Sequence, residues 1–323
     1  MERTGDLTME NNKNLRGIWG PEGGRSAAQE NREATASRLG LERAMQAGAI
    51  LEGTAVLCGG DGRLIIDLGC MRGIMEREEV QLCPAGEEVR DIAVITRVGK
   101  RICFVITGFS VTEDGEEVAV LSRREAQRQC REQYLDRLVP GDVIPAKITH
   151  LEHFGAFVDV GCGIVSLLPI DCISVSRISH PSDRFFAGMP VYVVVKSIEP
   201  GGRISVSHKE LLGTWEENAA LFTPGETVTG IVRSIEEYGV FIELTPNLAG
   251  LAEYRPGLTV GQSAAVYIKN LIPARMKVKL VLVDTYRGEG KARDMEYFIT
   301  DGHMDAWRYS PAGANRVIES VFS

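Results

Sequence analysis

Two phenylalanines at matching places in a repeated segment are the side chains of this sequence best suited to chemistry. The chemistry they suit is stacking against a flat base. Phe157 stands in Phe154-Gly155-Ala156-Phe157-Val158-Asp159-Val160, and 84 residues later Phe241 stands in Tyr238-Gly239-Val240-Phe241-Ile242-Glu243-Leu244. Read as a strand, the first copy puts Ala156, Val158 and Val160 on one face and Phe157 and Asp159 on the other. The second divides Val240, Ile242 and Leu244 from Phe241 and Glu243 in the same way. An aromatic sharing a face with a carboxylate is expected to face water. The glycine beside it lets a ligand come close, so the repeated ring is expected to be a stacking platform.

Other chemistries lack their residues. The seven cysteines sit far apart, without a CxxC pair or a histidine at ligand spacing, so reduced, buried thiols are expected rather than a metal site or a disulfide frame. Gly161-Cys162-Gly163 is too short for a phosphate loop. His150 and His153 flank the strand turn and read best as plain surface histidines. With no catalytic dyad, metal cluster or nucleotide loop, neither enzyme activity, a cofactor nor a small-molecule substrate is expected. The net charge of −8 argues against non-specific grip on duplex phosphate. That excess acid lies mostly outside the two aromatic repeats: residues 1–137 hold 19 basic against 23 acidic side chains, whereas residues 138–213 hold 6 against 7 and residues 221–284 hold 6 against 6. The longest uncharged stretches, such as Val160 to Ile170, run to about 11 residues, where a membrane span needs ~20. No membrane partner and no signal peptide are expected, which points to the cytoplasm.

The repeat sets the organisation. Val139–Val160 aligns without a gap on Thr223–Leu244, and Leu64-Ile65-Ile66-Asp67-Leu68-Gly69 is a diverged third copy with Ile65 at the aromatic place. Units of this size suit tandem small domains. Residues 1–45 read as a mostly flexible arm with a weak helix over 26–46. The first unit spans 46–123, with strands expected at 92–95, 102–106 and 118–121 and a hairpin turn at Asp114-Gly115. Helical connectors are expected over 122–138, carrying Arg123, Arg124, Arg128 and Arg131, and over 207–222, where Trp215 reads as packing rather than as another stacking ring. Units two and three span 138–213 and 221–284. The aromatic tail, 285–323, is expected to dock on a neighbouring surface and to end in a helix over 312–322.

Leu138 through Lys209 resembles the RNA-binding repeat of the large ribosomal protein S-one. The signatures are Phe154-Gly155-Ala156-Phe157-Val158, Ile170-Asp171-Cys172-Ile173-Ser174, Ser179-His180-Pro181-Ser182 and Gly202-Arg203-Ile204-Ser205-Val206-Ser207-His208-Lys209. Residues 223–283 resemble it well, and the first unit mainly by its order and its ending, Leu121-Ser122-Arg123-Arg124. The resemblance implies an all-β chain of three tandem five-stranded OB-fold barrels joined by short helical connectors. It implies RNA contacts from Phe154, Phe157, Glu199 and Arg203, and from Tyr238 and Phe241. In the third unit Arg275, Lys277 and Lys279 stand in alternation, which places all three on one strand face. It further implies single-stranded RNA, mRNA above all, and the small ribosomal subunit as partners. Departures are visible: Pro169, Glu253 and Glu76 replace the family's histidine, and Val118 stands where Arg203 does. The first unit is therefore expected not to bind RNA. The rival reading is a protein-docking adaptor on the ribosome or a ribonuclease complex.

Overall fold

The computed structural model describes residues 18–84, 86–289 and 295–322. Its strands close into three five-stranded barrels of one topology. The first contains β1 (Leu51–Cys58), β2 (Leu64–Asp67), β3 (Arg72–Met75), β4 (Arg101–Val111) and β5 (Glu117–Ser122). The second contains β6 (Val143–Glu152), β7 (Gly155–Gly161), β8 (Ile164–Pro169), β9 (Pro190–Ile198) and β10 (Ile204–Ser207). The third contains β11 (Thr227–Glu236), β12 (Gly239–Thr245), β13 (Leu248–Ala252), β14 (Gln262–Ile272) and β15 (Lys277–Glu289). In each, the first three strands form a meander, the fourth pairs with the first, and the fifth closes the ring between the third and fourth. The closing contact of third on fifth strand is parallel each time. This is the OB-type architecture that the period-2 pattern and the resemblance imply.

Alternation sets each interior. Ala156, Val158 and Val160, and likewise Val240, Ile242 and Leu244, are buried. Fully burying such a side chain contributes roughly 1.5–3 kcal/mol relative to exposure, so these rows fix the register of the strands that carry the rings.

The chain divides into two compact units. One contains residues up to Leu138 together with Asp159–Val165, and the other contains Val139–Val158 and everything from Ser166 onward. In the first unit, α1 (Gln29–Thr35) and α2 (Arg38–Gln46) fall within the weak helix expected over 26–46, as two helices packed on the barrel rather than one in a flexible arm. Leu41 and Ala44 enter the core of the first barrel. Asn31 exchanges two hydrogen bonds with the Glu52 backbone, and the Glu52 carboxylate accepts from the N–H groups of Gly23, Arg25 and Ser26. Those polar anchors order a segment whose composition reads as loop. Residues 92–95, expected as a strand, belong to α3 (Asp91–Ile95). A run of four apolar residues is ambiguous between the two states, and here only Val94 is buried while Ile92 and Ile95 are exposed.

The connectors are helical but shorter than their apolar stripes suggest. After the first barrel comes α4 (Arg123–Gln133), capped by Ser122, whose hydroxyl accepts from Glu125 N–H. The 207–222 segment is two pieces, a 3₁₀ turn at Lys209–Leu212 and α5 (Trp215–Ala219), separated at Gly213 with φ of 81°. Trp215 is buried in the core of the third barrel. Burial excludes it as a stacking ring.

In the second unit the tail docks as expected but ends differently. β16 (Ala306–Arg308) pairs with β17 (Glu319–Val321) in the region expected to be a helix. Trp307 and Tyr309 join the third barrel's core, while Phe322 packs with Val143, Val194 and Leu211. Tertiary burial of these rings outweighs the local helical pattern.

Candidate nucleic-acid interface

The ring pairs form at the start of the second strand of the second and third barrels. Gly155 and Gly239 each sit where the following strand passes close by. A Cβ at Gly155 would strike the Leu168 carbonyl oxygen and come to 3.0 Å from Pro169 Cα, and one at Gly239 would lie 2.6 Å from the Ala252 oxygen. The glycines are thus required by the neighbouring strand, where the sequence suggested room for a ligand. Around them Phe154 and Phe157 meet edge to face, with centroids 6.0 Å apart at 89°, and Tyr238 and Phe241 meet at 6.2 Å and 86°. Two unconnected stretches of chain thus build the same aromatic corner.

Phe157 and Phe241, expected to face water, are less exposed than their partners. Phe154 is 56% and Tyr238 70% exposed, whereas Phe157 and Phe241 are half-buried. The outer rings are the free ones, and the strand rings are their supports.

The carboxylates correct the opening expectation more sharply. Asp159 and Glu243 share a strand face with the half-buried rings, yet both are buried. Asp159, in the first unit, accepts from the N–H groups of Glu22, Gly161 and Gly163 at 2.8–3.0 Å. Burial and the nearby Glu22 carboxylate raise its pKa to about 7. Glu22 is itself gripped by the buried Arg123, Nε to Oε1 at 2.6 Å and Nη2 to Oε2 at 3.1 Å. Burial opposes ionisation of Glu22, but the Arg123 charge and hydrogen bonds outweigh it and hold the carboxyl below its ordinary value. Glu243, in the second unit, accepts from Arg184 and from Arg233 at 2.9 and 3.2 Å, and Arg233 also lies 3.4 Å from Asp183. The face seemed polar because it is an ionic joint. The remaining connector arginines serve similar ends: Arg124 pairs with Glu79, Arg128 with Glu125 and Glu132, and Arg131 with Asp136.

Strand register locates the cations. Phe241 pairs with Leu251 and Leu251 with Lys279, so Lys279 stands two strands across from the ring on the same face. Lys277 and Lys279 are exposed and flank the buried Val278. Arg275 departs from the expected alternation: it ends a 3₁₀ turn, Pro273–Arg275, followed by Met276 at φ 48°. In the second barrel Leu167 pairs with Ser205. Leu167 and Leu251 are repeat equivalents, so Ser205 holds the place of Lys279 and Arg203 that of Lys277. Arg203 is exposed at the β9–β10 turn, where Glu199 N–H donates to its carbonyl at 2.9 Å. Glu199 is exposed beside it.

Sequence reasoning missed His180. Its ring meets His153 edge-on at 4.9 Å, and its Nδ1 accepts from Ser182 N–H at 3.1 Å. Pro181 immediately after it was the available signal, because a proline at a 3₁₀ start fixes the turn that presents the ring. In the first barrel the corresponding places carry no aromatic pair, Glu76 lies 3.0 Å from Arg63, and Val118 is buried. Among the described residues no three His, Cys, Asp or Glu side chains could hold a metal ion, and no helix is long and apolar enough to cross a membrane.

Three closed barrels of one topology, two of them with a ring pair at the same strand position, define a class, that of tandem OB-type barrel proteins. Residues 138–209 match the family model described as "S1 RNA binding domain". More particularly, the chain has stretches similar to ribosomal proteins of the bS1 type. It is 29% identical over 191 residues to the small ribosomal subunit protein bS1 of Rhizobium meliloti, covering 54% of this chain and 34% of that protein. It is 36% identical over 135 residues to the bS1 homolog of Bacillus subtilis, covering 41% and 35%. To bS1 of Rickettsia conorii it is 31% identical over 179 residues, covering 50% and 31%. The chain thus spans about a third of the length of these relatives.

Proposed function

We propose that the protein binds single-stranded RNA, mRNA in particular, through the ring pairs of its second and third barrels, as a non-catalytic cytoplasmic component working at or near the small ribosomal subunit. The observation that carries this reading is the recurrence of one aromatic corner, 6.0 Å and 89° against 6.2 Å and 86°, with its outer ring exposed in both barrels. Arg203 on one barrel and Lys277 and Lys279 on the other supply modest positive charge on the turn and strand face beside the rings. The names of the bS1 relatives point to the ribosomal small subunit. Two modules engaging one strand raise affinity through effective concentration.

A second reading, docking to a protein, is favoured at the first barrel alone. That barrel has no ring pair, and it exposes Val56, Leu57, Ile92, Ile95 and Val98. The two readings are compatible if the first barrel anchors while the others bind.

The test pairs RNA titration with chemical denaturation on the same variants. Phe154→Ala and Tyr238→Ala should each weaken binding to single-stranded RNA by the ~1–3 kcal/mol of one stacked base while leaving stability nearly unchanged. Phe157→Ala and Phe241→Ala should lower both, because each ring is half-buried against its strand neighbours. If Phe154→Ala and Tyr238→Ala fold and bind as the parent does, RNA does not stack there.

A further inference from the structure

Three of the five histidines of the chain gather at the aromatic corner of the second barrel. His150 lies over Phe157, centroids 6.5 Å apart and planes 23° from parallel. Phe157 meets Phe154, His153 is the residue before Phe154, and His153 meets His180 edge-on. His150 thus groups with Phe157 and Phe154, and His153 with His180 at the 3₁₀ turn Pro181–Asp183, the two groups joined in the chain at His153-Phe154. His150 and His153 are exposed, and His180 is half-exposed.

The third barrel has nothing comparable. The same repeat spacing puts Ser234 where His150 stands and Glu237 where His153 stands, and Ser234 is the cross-strand partner of Phe241. The second barrel also differs where the family resemblance expects a histidine: it has Pro169, which offers no donor to a phosphate.

We propose that His150, His153 and His180 form a nucleotide subsite of the second barrel, adjoining Phe154 and Phe157, that takes the next base and phosphate of a single-stranded RNA. This rests on the RNA-binding reading and deepens it. An imidazole can stack through its ring and donate to a phosphate oxygen through a nitrogen, and His180 is already fixed to do so. Its Nδ1 accepts from Ser182 N–H, which leaves Nε2 to carry the proton. His150 Nε2 lies 2.7 Å from the Glu152 carboxylate. The other charged neighbour is Asp183, whose carboxylate accepts from the N–H groups of Ser179 and His180 and faces Arg233.

The experiment uses the full chain and a fluorescein-labelled ten-nucleotide oligouridylate, titrated by anisotropy at one pH and ionic strength. The variant His150→Gln/His153→Gln/His180→Asn, in which asparagine keeps an acceptor for Ser182 N–H, should bind about tenfold more weakly than the parent, the scale of one stacked base. Should the triple variant fold less well, His153→Gln alone, on an exposed side chain, should lose part of that affinity. If the variants bind as the parent does while Phe154→Ala weakens binding, the histidine subsite is refuted and the RNA reading stands. If the parent binds no RNA, both fall.

Discussion

Each barrel carries an acid at the same place on its second strand, and neutralising the three in turn should separate an ionic joint from an ornament. Asp67 is exposed and accepts only from Gly69 N–H at 2.8 Å. Asp67→Asn keeps that acceptor, so its effect should stay within about 0.5 kcal/mol. Asp159→Asn keeps one oxygen for Gly161 and Gly163 but turns an amide N–H₂ toward the Glu22 N–H. One buried hydrogen bond is lost, at ~1–3 kcal/mol, and relief of repulsion from the Glu22 carboxylate offsets part of it. Glu243→Gln removes the carboxylate paired with the fully buried Arg184, and leaves Asp183 to compensate both Arg184 and, at 3.4 Å, Arg233. Removing one member of a buried charge network costs roughly 3–5 kcal/mol. For a unit of this size each kcal/mol moves the melting temperature by about 2–4 °C, so the transition of the second unit should fall by roughly 6–20 °C. Differential scanning calorimetry on the three variants and the parent reads the series directly. If Glu243→Gln melts with the parent, or if Asp67→Asn costs as much as Glu243→Gln, the buried network contributes nothing and the argument from burial fails.

Two further outcomes follow from side chains already described. His208 is buried, with Nδ1 donating to the Ile173 carbonyl at 2.7 Å and Nε2 accepting from the Tyr297 hydroxyl at 2.9 Å, and burial lowers its pKa to about 4. Between pH 4 and about 6.5 the unfolded chain binds the proton and the folded chain does not, so stability should rise with pH across that window by about 3 kcal/mol; urea midpoints at four pH values test it, and a flat or falling profile contradicts it. Asp159, raised to about 7, acts with the opposite sign in this window, so the midpoints are read in the Asp159→Asn variant; His303, raised by Asp142, has the same sign as Asp159 but is exposed. The salt dependence of RNA affinity should be shallow, with a log–log slope of roughly −2 to −3, and Lys279→Ala should reduce its magnitude by about 0.7; a slope several times steeper would place the phosphate contacts elsewhere.

The barrels and their ring positions were legible because period-2 alternation records which residues face inward, and because an 84-residue repeat states the pattern twice. Long-range polar pairing was not legible. Nothing local in Phe157-Val158-Asp159 distinguishes a solvated aspartate from one held by the N–H of Glu22, 137 residues away. The exposed-face reading therefore failed at Asp159 and at Glu243, and Phe157 and Phe241 are less exposed than their partners. The helices over 29–46 were expected, but their anchoring was hidden for the same reason, since it depends on Asn31 and Glu52 finding each other. At the tail, an apolar pattern compatible with either state was decided by where Trp307, Tyr309 and Phe322 could be buried.

Phe241 and Glu243 are two residues apart on one strand, and they divide labour along it. The ring belongs to whatever the barrel holds, and the acid to what the barrel is built against. A duplicated copy of such a module inherits both, and changing one residue leaves the other intact. Phe157 with Asp159 repeats the division, while the first barrel, with Ile65 and an exposed Asp67, has let both go. A lineage can thus lengthen an array, retire a barrel from recognition or free it from its neighbours by edits at separate codons of a single strand.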